Sequence, residues 1–406
     1  MKVLQINAVY GIGSTGTIVR DIQQCCSKNG IDCYVAYQKT SERVPNGYKI
    51  GFWLSYKIHA ILCRIGGKQA YFSTISTLLL LRFIAKIKPD IVNLHNLHSN
   101  YINLNILLKY LAAKDIRTVV TLHDCWFYTG GCYHYTYVAC NKWQYECGKC
   151  PKQKMDTKAY FYDASRQILN DRKKYFSKIP SLTVVGVSNW IAVESQKSVF
   201  PSRNIVTIYN GIDTDIFRYR ETNIKEELDI KDKTIYLGPA SKWLDLINVE
   251  TLEYFVNNLK SDEILVLIGA PHSYQGIKNK VVPIPFVSDK KKISEIFSMA
   301  DVFVNCTREE SLSMINLEAQ ACGTPVITYN GTGVQETVDN VCGFSIKSGD
   351  FQSLYIKAHE VAHSSSNYRD LCRERICTHF SKQNKYQEYI CLYRSLSKIQ
   401  DDIKTS

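Results

Sequence analysis

Short apolar runs rich in valine and isoleucine recur along the chain and alternate with segments of helical periodicity. These runs lie at residues 3–6, 32–37, 91–94, 118–122 and 183–187 in the first half, and at 234–237, 264–268, 302–305 and 325–328 in the second. Strands that alternate with helices predict parallel βαβ units. The pattern therefore predicts an α/β protein with two doubly wound sheets, whose ligands bind beyond the carboxyl ends of the strands.

A polar stretch separates the two predicted sheets. The last apolar run of the first half leads into the turn Asn210-Gly211, after which polar and charged residues continue to Lys233. We therefore predict a first Rossmann-like domain over residues 1–207 and a second over 208–375. Residues 376–406 are expected to form a helix long enough to return to the first domain, with one face formed by Tyr386, Tyr389, Ile390 and Tyr393.

The charge of the chain is basic and dispersed. Its 50 lysines and arginines outnumber 38 acidic residues, for a formal net charge of +12. Because the excess is spread along the chain, we expect no nucleic-acid partner, and a membrane surface or a phosphorylated ligand is favoured instead.

We expect no secretion signal and no membrane span. The N-terminus enters a predicted strand at once, and the apolar run Ile75–Leu81 is far shorter than the ~20 residues of a spanning helix. We therefore expect a cytoplasmic protein, peripheral on the cytoplasmic membrane face where it meets lipid, with its fifteen cysteines reduced.

A glycine-rich loop follows the first predicted strand. Gly11-Ile12-Gly13-Ser14-Thr15-Gly16 has the spacing that brings backbone amides and a helix N-terminus up to a phosphate. Dinucleotide binding also needs an acidic residue at the end of the second strand, and Tyr34–Lys39 supplies none. A phosphate- or sugar-facing loop is therefore favoured, with a purely structural turn as the alternative.

The most informative stretch covers residues 308–327. A polar loop after a predicted strand carries Glu310, and Ser311 or Ser313 is expected to cap the following helix, which carries Glu318. Free amides at the helix N-terminus favour an anionic diphosphate, and carboxylates accept hydrogen bonds from sugar and ribose hydroxyls. The alternative is a surface helix with incidental glutamates.

Glu310 and Glu318 resemble the Glu-(seven residues)-Glu motif of family 4 of the retaining glycosyltransferases, which have the GT-B fold of two Rossmann-like domains facing each other across a cleft. Residues 88–96, 187–188 and 210–217 are similar to further family stretches in the expected order. The resemblance covers nearly the whole chain. It implies that Glu310 contacts the transferred sugar and Glu318 the nucleotide ribose, as in enzymes that build capsules, exopolysaccharides and O-antigens.

The resemblance also assigns residues near the strand ends. In similar enzymes the histidine at the place of His123 approaches the donor sugar from the acceptor side, whereas a buried, structurally satisfied histidine is the alternative. The donor is expected at Ser311, Leu312 and Ser313. The acceptor is expected in the first domain, near Gly11–Gly16 and Asn96–Asn100.

One stretch departs from the family. After the first strand of the second domain, similar enzymes carry two basic residues that neutralise the leaving diphosphate. Here Lys242 remains, and Ser241 before it is a further candidate for donor binding, but Leu246-Ile247-Asn248 occupies the place of the second basic residue and a glycine. Loss of one cation could cost several kcal/mol in the transition state. This departure motivates the alternative of a noncatalytic sugar-nucleotide-binding partner.

A cysteine cluster follows His123. Cys147 and Cys150 have the spacing of a zinc knuckle, and Cys132 and Cys140 could complete a structural site. Because only one tight pair is present, packed free thiols are favoured over a metal, and a disulfide is a third alternative.

Residues 52–87 mix apolar side chains with lysines and arginines. Such a segment can lie in a membrane interface, or can form two ordinary helices that pack on the first sheet. If the acceptor is lipid-linked, we expect an inner-leaflet membrane contact here.

The sequence and the resemblance thus predict a glycosyltransferase that moves a sugar from a nucleotide-sugar donor to a glycan or lipid-linked glycan acceptor. Retention of configuration is implied by the resemblance alone. We expect no cofactor and no catalytic metal, because amides and cations offset the leaving charge in a GT-B enzyme. Apart from the noncatalytic partner, a GT-B sugar-nucleotide epimerase is the remaining alternative.

Overall fold

The computed structural model describes residues 1–201 and 203–405, with side chains over 1–201 and 203–397. The chain divides into two compact units. The first unit comprises Met1–Asn210 together with the helical segment from Lys385 onward, and the second comprises Gly211–Asn384. The last residue of the predicted C-terminal segment, Ser406, lies outside the described residues.

The first unit contains a seven-stranded parallel sheet. Its strands are β1 (Lys2–Tyr10), β2 (Asp32–Thr40), β3 (Gly47–Lys49), β4 (Ile91–Leu94), β5 (Arg117–Leu122), β6 (Leu182–Gly186) and β7 (Asn204–Thr207). They follow the order β3-β2-β1-β4-β5-β6-β7. The helices of this unit are α1 (Gly13–Lys28), α2 (Trp53–Gly66), α3 (Thr74–Ile87), α4 (Leu104–Ala113), α5 (Ser165–Phe176), α6 (Asn189–Gln196) and, for most of its length, α14 (Lys382–Thr405).

The second unit contains a six-stranded parallel sheet. Its strands are β8 (Thr234–Pro239), β9 (Glu263–Ala270), β10 (Val281–Pro285), β11 (Val302–Asn305), β12 (Val326–Tyr329) and β13 (Gly343–Ile346). Their order is β10-β9-β8-β11-β12-β13. The helices are α7 (Ile224–Glu227), α8 (Ala240–Trp243), α9 (Val249–Asn258), α10 (Lys290–Ser298), α11 (Met314–Ala321), α12 (Phe351–Ala362) and α13 (Tyr368–His379).

Both sheets are doubly wound, as predicted. In each, the chain proceeds from the first strand toward one edge and then returns to build the other half, so a switch point lies between β1 and β4 and between β8 and β11. Ligands of such sheets bind where the carboxyl ends diverge at the switch point. The residues that follow these four strands are therefore the first candidates for a site.

Each sheet is buried by helices with one apolar stripe. In α1 the buried residues Ile18, Ile22 and Cys26 recur every four positions and pack on β1. The tyrosine face of α14 joins the same core, and Tyr393 accepts a hydrogen bond from Asn93 in β4 at 2.8 Å. The end of the chain thus closes the first core rather than the second.

Among the described helices, none combines the length and apolar character needed to cross a bilayer.

Candidate functional site

Lys242 and Glu310 meet at the switch point of the second sheet. Lys242 lies in α8, directly after β8, and Glu310 lies in the loop after β11. Lys242 Nζ is 3.3 Å from Glu310 Oε1, and the side chains are 30% and 26% exposed. The pair is therefore formed but remains open to a ligand. Ser241 precedes Lys242 and is exposed, whereas Leu312 is buried beneath the loop.

Glu318 lies in α11 as a half-buried carboxylate. Burial raises its pKa to about 7, although Lys290 acts in the opposite direction. Within the part of the chain that the structure describes, no hydrogen-bond donor contacts this carboxylate. The carboxylate can therefore accept hydrogen bonds from a ligand.

The capping predicted for this helix is wrong. The helix begins at Met314 and Ser313 occupies the N-cap position, but its side chain makes no capping hydrogen bond. Instead, its hydroxyl accepts a hydrogen bond from Asn305 Nδ2 at 3.1 Å. The Ser311 hydroxyl is buried without a partner in the described residues. The first-turn amides of α11 are therefore not capped by a side chain and can bind an anion.

Arg308 is a functional candidate that sequence reasoning missed. Asn248, which stands at the departure from the family pattern, donates from Nδ2 to the carbonyl oxygens of Lys242 and Cys306 at 3.0 and 3.1 Å. Its Oδ1 accepts a hydrogen bond from Arg308 Nε at 3.1 Å. Burial raises the pKa of Cys306 to about 12, and Lys242 and Arg308 both oppose this rise. Two cations therefore flank Cys306, one of them held by Asn248.

The glycine loop of the first unit follows β1. Gly11 and Gly13 have φ values of +68° and +64°, which favour glycine. A Cβ at Gly16 would lie 3.1 Å from Val9 and 3.2 Å from the Gly11 nitrogen, so the turn requires close backbone approach. Ser14 is exposed, Thr15 is half-exposed and the first turn of α1 has no side-chain cap. The loop can therefore present free amides to a ligand.

An acidic residue lies nearer this loop than predicted. Strand β2 extends to Thr40, beyond the expected end, and Glu42 follows it. A Cβ at Gly11 would overlap the Glu42 carboxylate. Glu42 Oε1 is also 3.6 Å from Arg20 Nη1. The carboxylate is thus engaged by a neighbouring cation at the edge of the loop.

His123 belongs to a buried hydrogen-bond chain. Gln5 Nε2 donates to the Val19 carbonyl at 3.0 Å, so Gln5 Oε1 accepts from His95 Nε2 at 3.1 Å. His95 Nδ1 must then accept a hydrogen bond from His123 Nε2, at 3.0 Å. Burial lowers the pKa of His123 to about 4. The chain therefore fixes a neutral His123 whose Nδ1 remains an acceptor.

Asn96 follows His95 at the carboxyl end of β4. Its backbone N–H donates to Asn7 Oδ1 at 3.0 Å, and its carbonyl accepts from Tyr101. The loop that carries it is thereby fixed to β1. The structure brings His123, His95 and Asn96 together at the first switch point, whereas the residues predicted to bind the donor lie in the second unit.

A cavity of about 580 Å³ lies in the first unit beside this loop. Lys57, Arg64 and Lys158 line it, together with His98 and Asn100. The Asn100 Oδ1 atom is buried without a hydrogen-bond partner in the described residues. Asp156 also lines the cavity, so its three cations outnumber one carboxylate. With the unsatisfied amide, this excess of positive charge makes the cavity suited to a polar, anionic ligand.

His98 is oriented by Asp124. His98 Nε2 lies 3.2 Å from Asp124 Oδ2. Burial would raise the pKa of Asp124, but His98 and the Trp126 amide together lower it, so the carboxylate stays charged. His98 is therefore fixed at the wall of the cavity.

The four cysteines of the predicted knuckle line one small cavity of about 20 Å³. They are Cys132, Cys140, Cys147 and Cys150, and all four are free thiols. Burial raises the pKa of Cys132 and Cys147 to about 12 and 11. The geometry favours packed thiols, and a structural metal here stays an untested hypothesis.

Within the described residues, Glu263, His359 and His363 form the one group whose metal-type ligand atoms lie within 4.8 Å of one another. Glu263 already accepts hydrogen bonds from both histidines and from Tyr236. Lys260 Nζ lies 3.0 Å from His359 Nε2. If His359 bound a metal through Nδ1, its Nε2 would carry a proton and could not accept a hydrogen bond from the lysine. The group is therefore better explained as a hydrogen-bond network at the amino end of β9.

Two protein-family models match the chain. The model "Glycosyltransferase Family 4" matches residues 15–216, and "Glycosyl transferases group 1" matches residues 256–376. The two matches cover most of the first and second units in turn.

Three named proteins are similar to this chain over half of its length or more. N-acetyl-alpha-D-glucosaminyl L-malate synthase of Bacillus anthracis is 24% identical, over 52% of this chain and 58% of that protein. WcaC of Escherichia coli (strain K12), a glycosyl transferase named for colanic acid biosynthesis, is 21% identical over 98% of this chain and 100% of that protein. The capsular polysaccharide biosynthesis glycosyltransferase CapM of Staphylococcus aureus is 25% identical, over 55% and 57%. The chain thus spans a little over half of the first and third relatives.

Solved structures share the fold. Sucrose-phosphate synthase from Thermosynechococcus elongatus superimposes with a TM-score of 0.69 at 16% identity, over 97% of this chain and 98% of that one. Anabaena HepE, solved in complex with UDP and glucose, gives 0.64 at 14% identity, over 97% and 100%. At these identities the likeness shows the fold alone, and the predicted GT-B fold is confirmed.

Proposed function

We propose, on the premise that the chain belongs to glycosyltransferase family 4, that it transfers a sugar with retention of configuration from a nucleotide-sugar donor to a glycan or lipid-linked glycan acceptor. Surface polysaccharide biosynthesis is the setting that the relatives' names support. The observation that carries the proposal is the open Lys242–Glu310 pair beside a half-buried Glu318.

The donor diphosphate is proposed to bind the second unit. The first-turn amides of α11 supply donors, and Lys242 and Arg308 supply two positive charges near Cys306. Such preorganised donors and cations stabilise the charge that develops on a leaving diphosphate. Glu318 is proposed to accept hydrogen bonds from the ribose hydroxyls, which would replace the partners that it lacks.

The transferred sugar is proposed to contact Glu310. When the diphosphate pairs with Lys242, the Glu310 carboxylate loses this partner and can accept hydrogen bonds from sugar hydroxyls. In the first unit, the free Nδ1 of His123 is proposed to accept a hydrogen bond from the substrate, since its Nε2 is engaged by His95. The oxygen of the acceptor hydroxyl then bonds to the anomeric carbon as the bond to the diphosphate breaks, and the hydroxyl proton passes to the departing diphosphate.

The motive for a noncatalytic partner is weakened by Arg308. The family's second basic residue is absent from the loop after β8, but Asn248 from that loop holds Arg308 close to Lys242. A second cation is thus present from a different part of the sequence.

Nucleotide binding tests the proposed donor site. HepE is solved with UDP and with UDP-glucose, so UDP is the first nucleotide to try, followed by GDP and ADP. Calorimetry on the wild type, Glu318→Ala and a control Glu253→Ala, which changes an exposed glutamate of α9, should show binding that only Glu318→Ala loses. Equal affinity in all three would reject Glu318 as the ribose ligand.

A further inference from the structure

The outward face of α2 is apolar. Within this fully described helix, the buried side chains are His59 and Cys63. Its large exposed apolar residues, with the N-cap, are Phe52, Trp53, Leu54, Ile58, Ile61, Leu62 and Ile65. Trp53 alone is 70% exposed. A helix on a soluble surface normally shows the reverse arrangement, so this face indicates a partner.

The apolar surface extends beyond α2. Ile75, Leu78 and Leu79 are exposed on α3, and the aromatic run Tyr160–Tyr162 is exposed beside α2. Tyr160 N–H donates to the Arg64 carbonyl at 2.9 Å, which joins the aromatic run to the C-terminal end of α2. We call this surface, α2 with the exposed residues of α3 and Tyr160–Tyr162, the apolar face. Trp53 and the two tyrosines are the residue types that prefer a membrane interface.

The charge along α2, α3 and the segments that flank them has one sign. Residues 43–89 contain eight lysines and arginines and no aspartate or glutamate, in a chain of net charge +12. Within the described residues none of the eight forms a salt bridge. Two copies of such a surface would repel each other, whereas an anionic surface would be attracted.

The apolar face adjoins the 580 Å³ cavity of the first unit. Lys57 and Arg64 belong to α2 and also line the cavity, where Lys158 lies next to them. Lys57 Nζ is 5.8 Å from the centre of the Trp53 ring, so cation and interfacial aromatic lie together. A lipid whose chains contact the apolar face can therefore place a phosphorylated headgroup at the mouth of the cavity.

We propose that the apolar face docks on an anionic phospholipid bilayer and that the adjoining basic cavity receives the phosphorylated headgroup of a lipid-linked acceptor. The second part rests on the proposed transferase function, whereas the docking does not. Apolar and aromatic side chains enter the interface, and the unpaired cations contact lipid phosphates.

Co-sedimentation of the full chain with vesicles tests the docking without any sugar substrate. We expect binding to vesicles of phosphatidylcholine with phosphatidylglycerol, weak binding to phosphatidylcholine alone, and release at high salt. Trp53→Ser/Ile61→Ser and Lys57→Glu/Arg64→Glu should each reduce partitioning about tenfold or more. The matched controls, Phe286→Ser and Lys291→Glu in the second unit, should bind as the wild type does.

Melting temperature establishes that each variant is folded. Failure of folded wild-type protein to bind anionic vesicles, or equal binding by the face variants, would overturn the docking. A dimer that Trp53→Ser/Ile61→Ser dissociates would also overturn it, since a second copy would then cover the face. For the cavity, Lys158→Glu should reduce transfer to a lipid diphosphate acceptor while leaving nucleotide binding unchanged. If the wild type binds no nucleotide, that result would count against the proposed function alone.

Discussion

Lys242 Nζ lies 3.3 Å from Glu310 Oε1 at the carboxyl end of the second sheet. Lys242 lies in α8 after β8, and Glu310 lies in the loop after the adjacent strand β11. The pair therefore marks the switch point at which a doubly wound sheet binds its ligand. In the proposed reaction this pair separates when the diphosphate takes up Lys242.

Lys242→Ala should lower kcat by about 10²–10³-fold, because one preorganised charge opposite the leaving group is lost. Glu310→Gln should lower kcat with a smaller change in KM. The measurement is steady-state release of nucleoside diphosphate, with Lys291→Ala as a surface control. A Lys242→Ala enzyme with unchanged kcat would show that this cation does not act on the leaving group.

Arg308→Ala should lower kcat in the same manner, and Arg308→Lys should retain part of the activity because it keeps the charge but loses the fork geometry. Asn248→Ala should lower both kcat and thermal stability. It removes the group that holds Arg308, and it leaves polar groups unpaired at a cost of about 1–3 kcal/mol. Kinetics and thermal unfolding separate these effects. Full activity of Arg308→Ala would show that Lys242 alone offsets the leaving charge.

Donor affinity should depend on the ionisation of Glu318. Burial raises its pKa to about 7, so below pH 7 the protonated form predominates and must lose a proton to accept two ribose hydroxyls. Affinity should therefore rise with pH up to about 7 and then level off. The same raised pKa adds stability to the folded state below pH 4.5, and this contribution is lost as the pH rises through 7. Calorimetry of donor binding across this pH range, on the wild type and Glu318→Gln, tests the dependence. A wild-type affinity that does not change with pH would contradict the role of Glu318 as the ribose ligand.

His123 should remain neutral across the physiological range. Its pKa is lowered by burial to about 4, so its NMR signals should not titrate between pH 5.5 and 8. Stability from the neutral ring is present above the ordinary pKa of 6.5 and is lost as the pH falls toward 4. His95→Ala should remove the acceptor for Nε2 and raise KM or lower kcat without loss of folding. A His123 titration midpoint near 6.5 would contradict the buried chain.

All fifteen cysteines should be titratable as thiols after unfolding without reductant, since the described structure contains them as free cysteines. Fewer reactive thiols would indicate a disulfide. Metal analysis of the same sample decides between packed thiols and a structural zinc.

The central strands of the two sheets could be predicted from the sequence, whereas the edge strands could not. All nine predicted strands are present, because strands buried on both faces are continuous apolar runs. The missed strands β3, β7, β10 and β13 are the four edges of the two sheets, where half-exposed residues break the apolar pattern. Their identity depends on pairing with a neighbour rather than on local sequence.

The site residues could be predicted from the sequence only where they lie within one motif. Glu310 and Glu318 follow from the spacing within one loop and helix, but Arg308 depends on a hydrogen bond to Asn248, sixty positions earlier. The Ser313 cap was mispredicted because Asn305 competes for the same hydroxyl. A basic residue two positions before Glu310 was the available signal for Arg308.

Sugar transfer is measured most directly by mass spectrometry of the products formed from purified protein, a panel of UDP-, GDP- and ADP-sugars, and anionic vesicles carrying lipid diphosphate glycans. We expect one nucleotide sugar whose sugar mass is added to the acceptor, with nucleoside diphosphate released in equal amount and both products lost in Glu310→Gln. Binding of a nucleotide sugar with no product on any acceptor, or release of an epimerised sugar without acceptor, would contradict it.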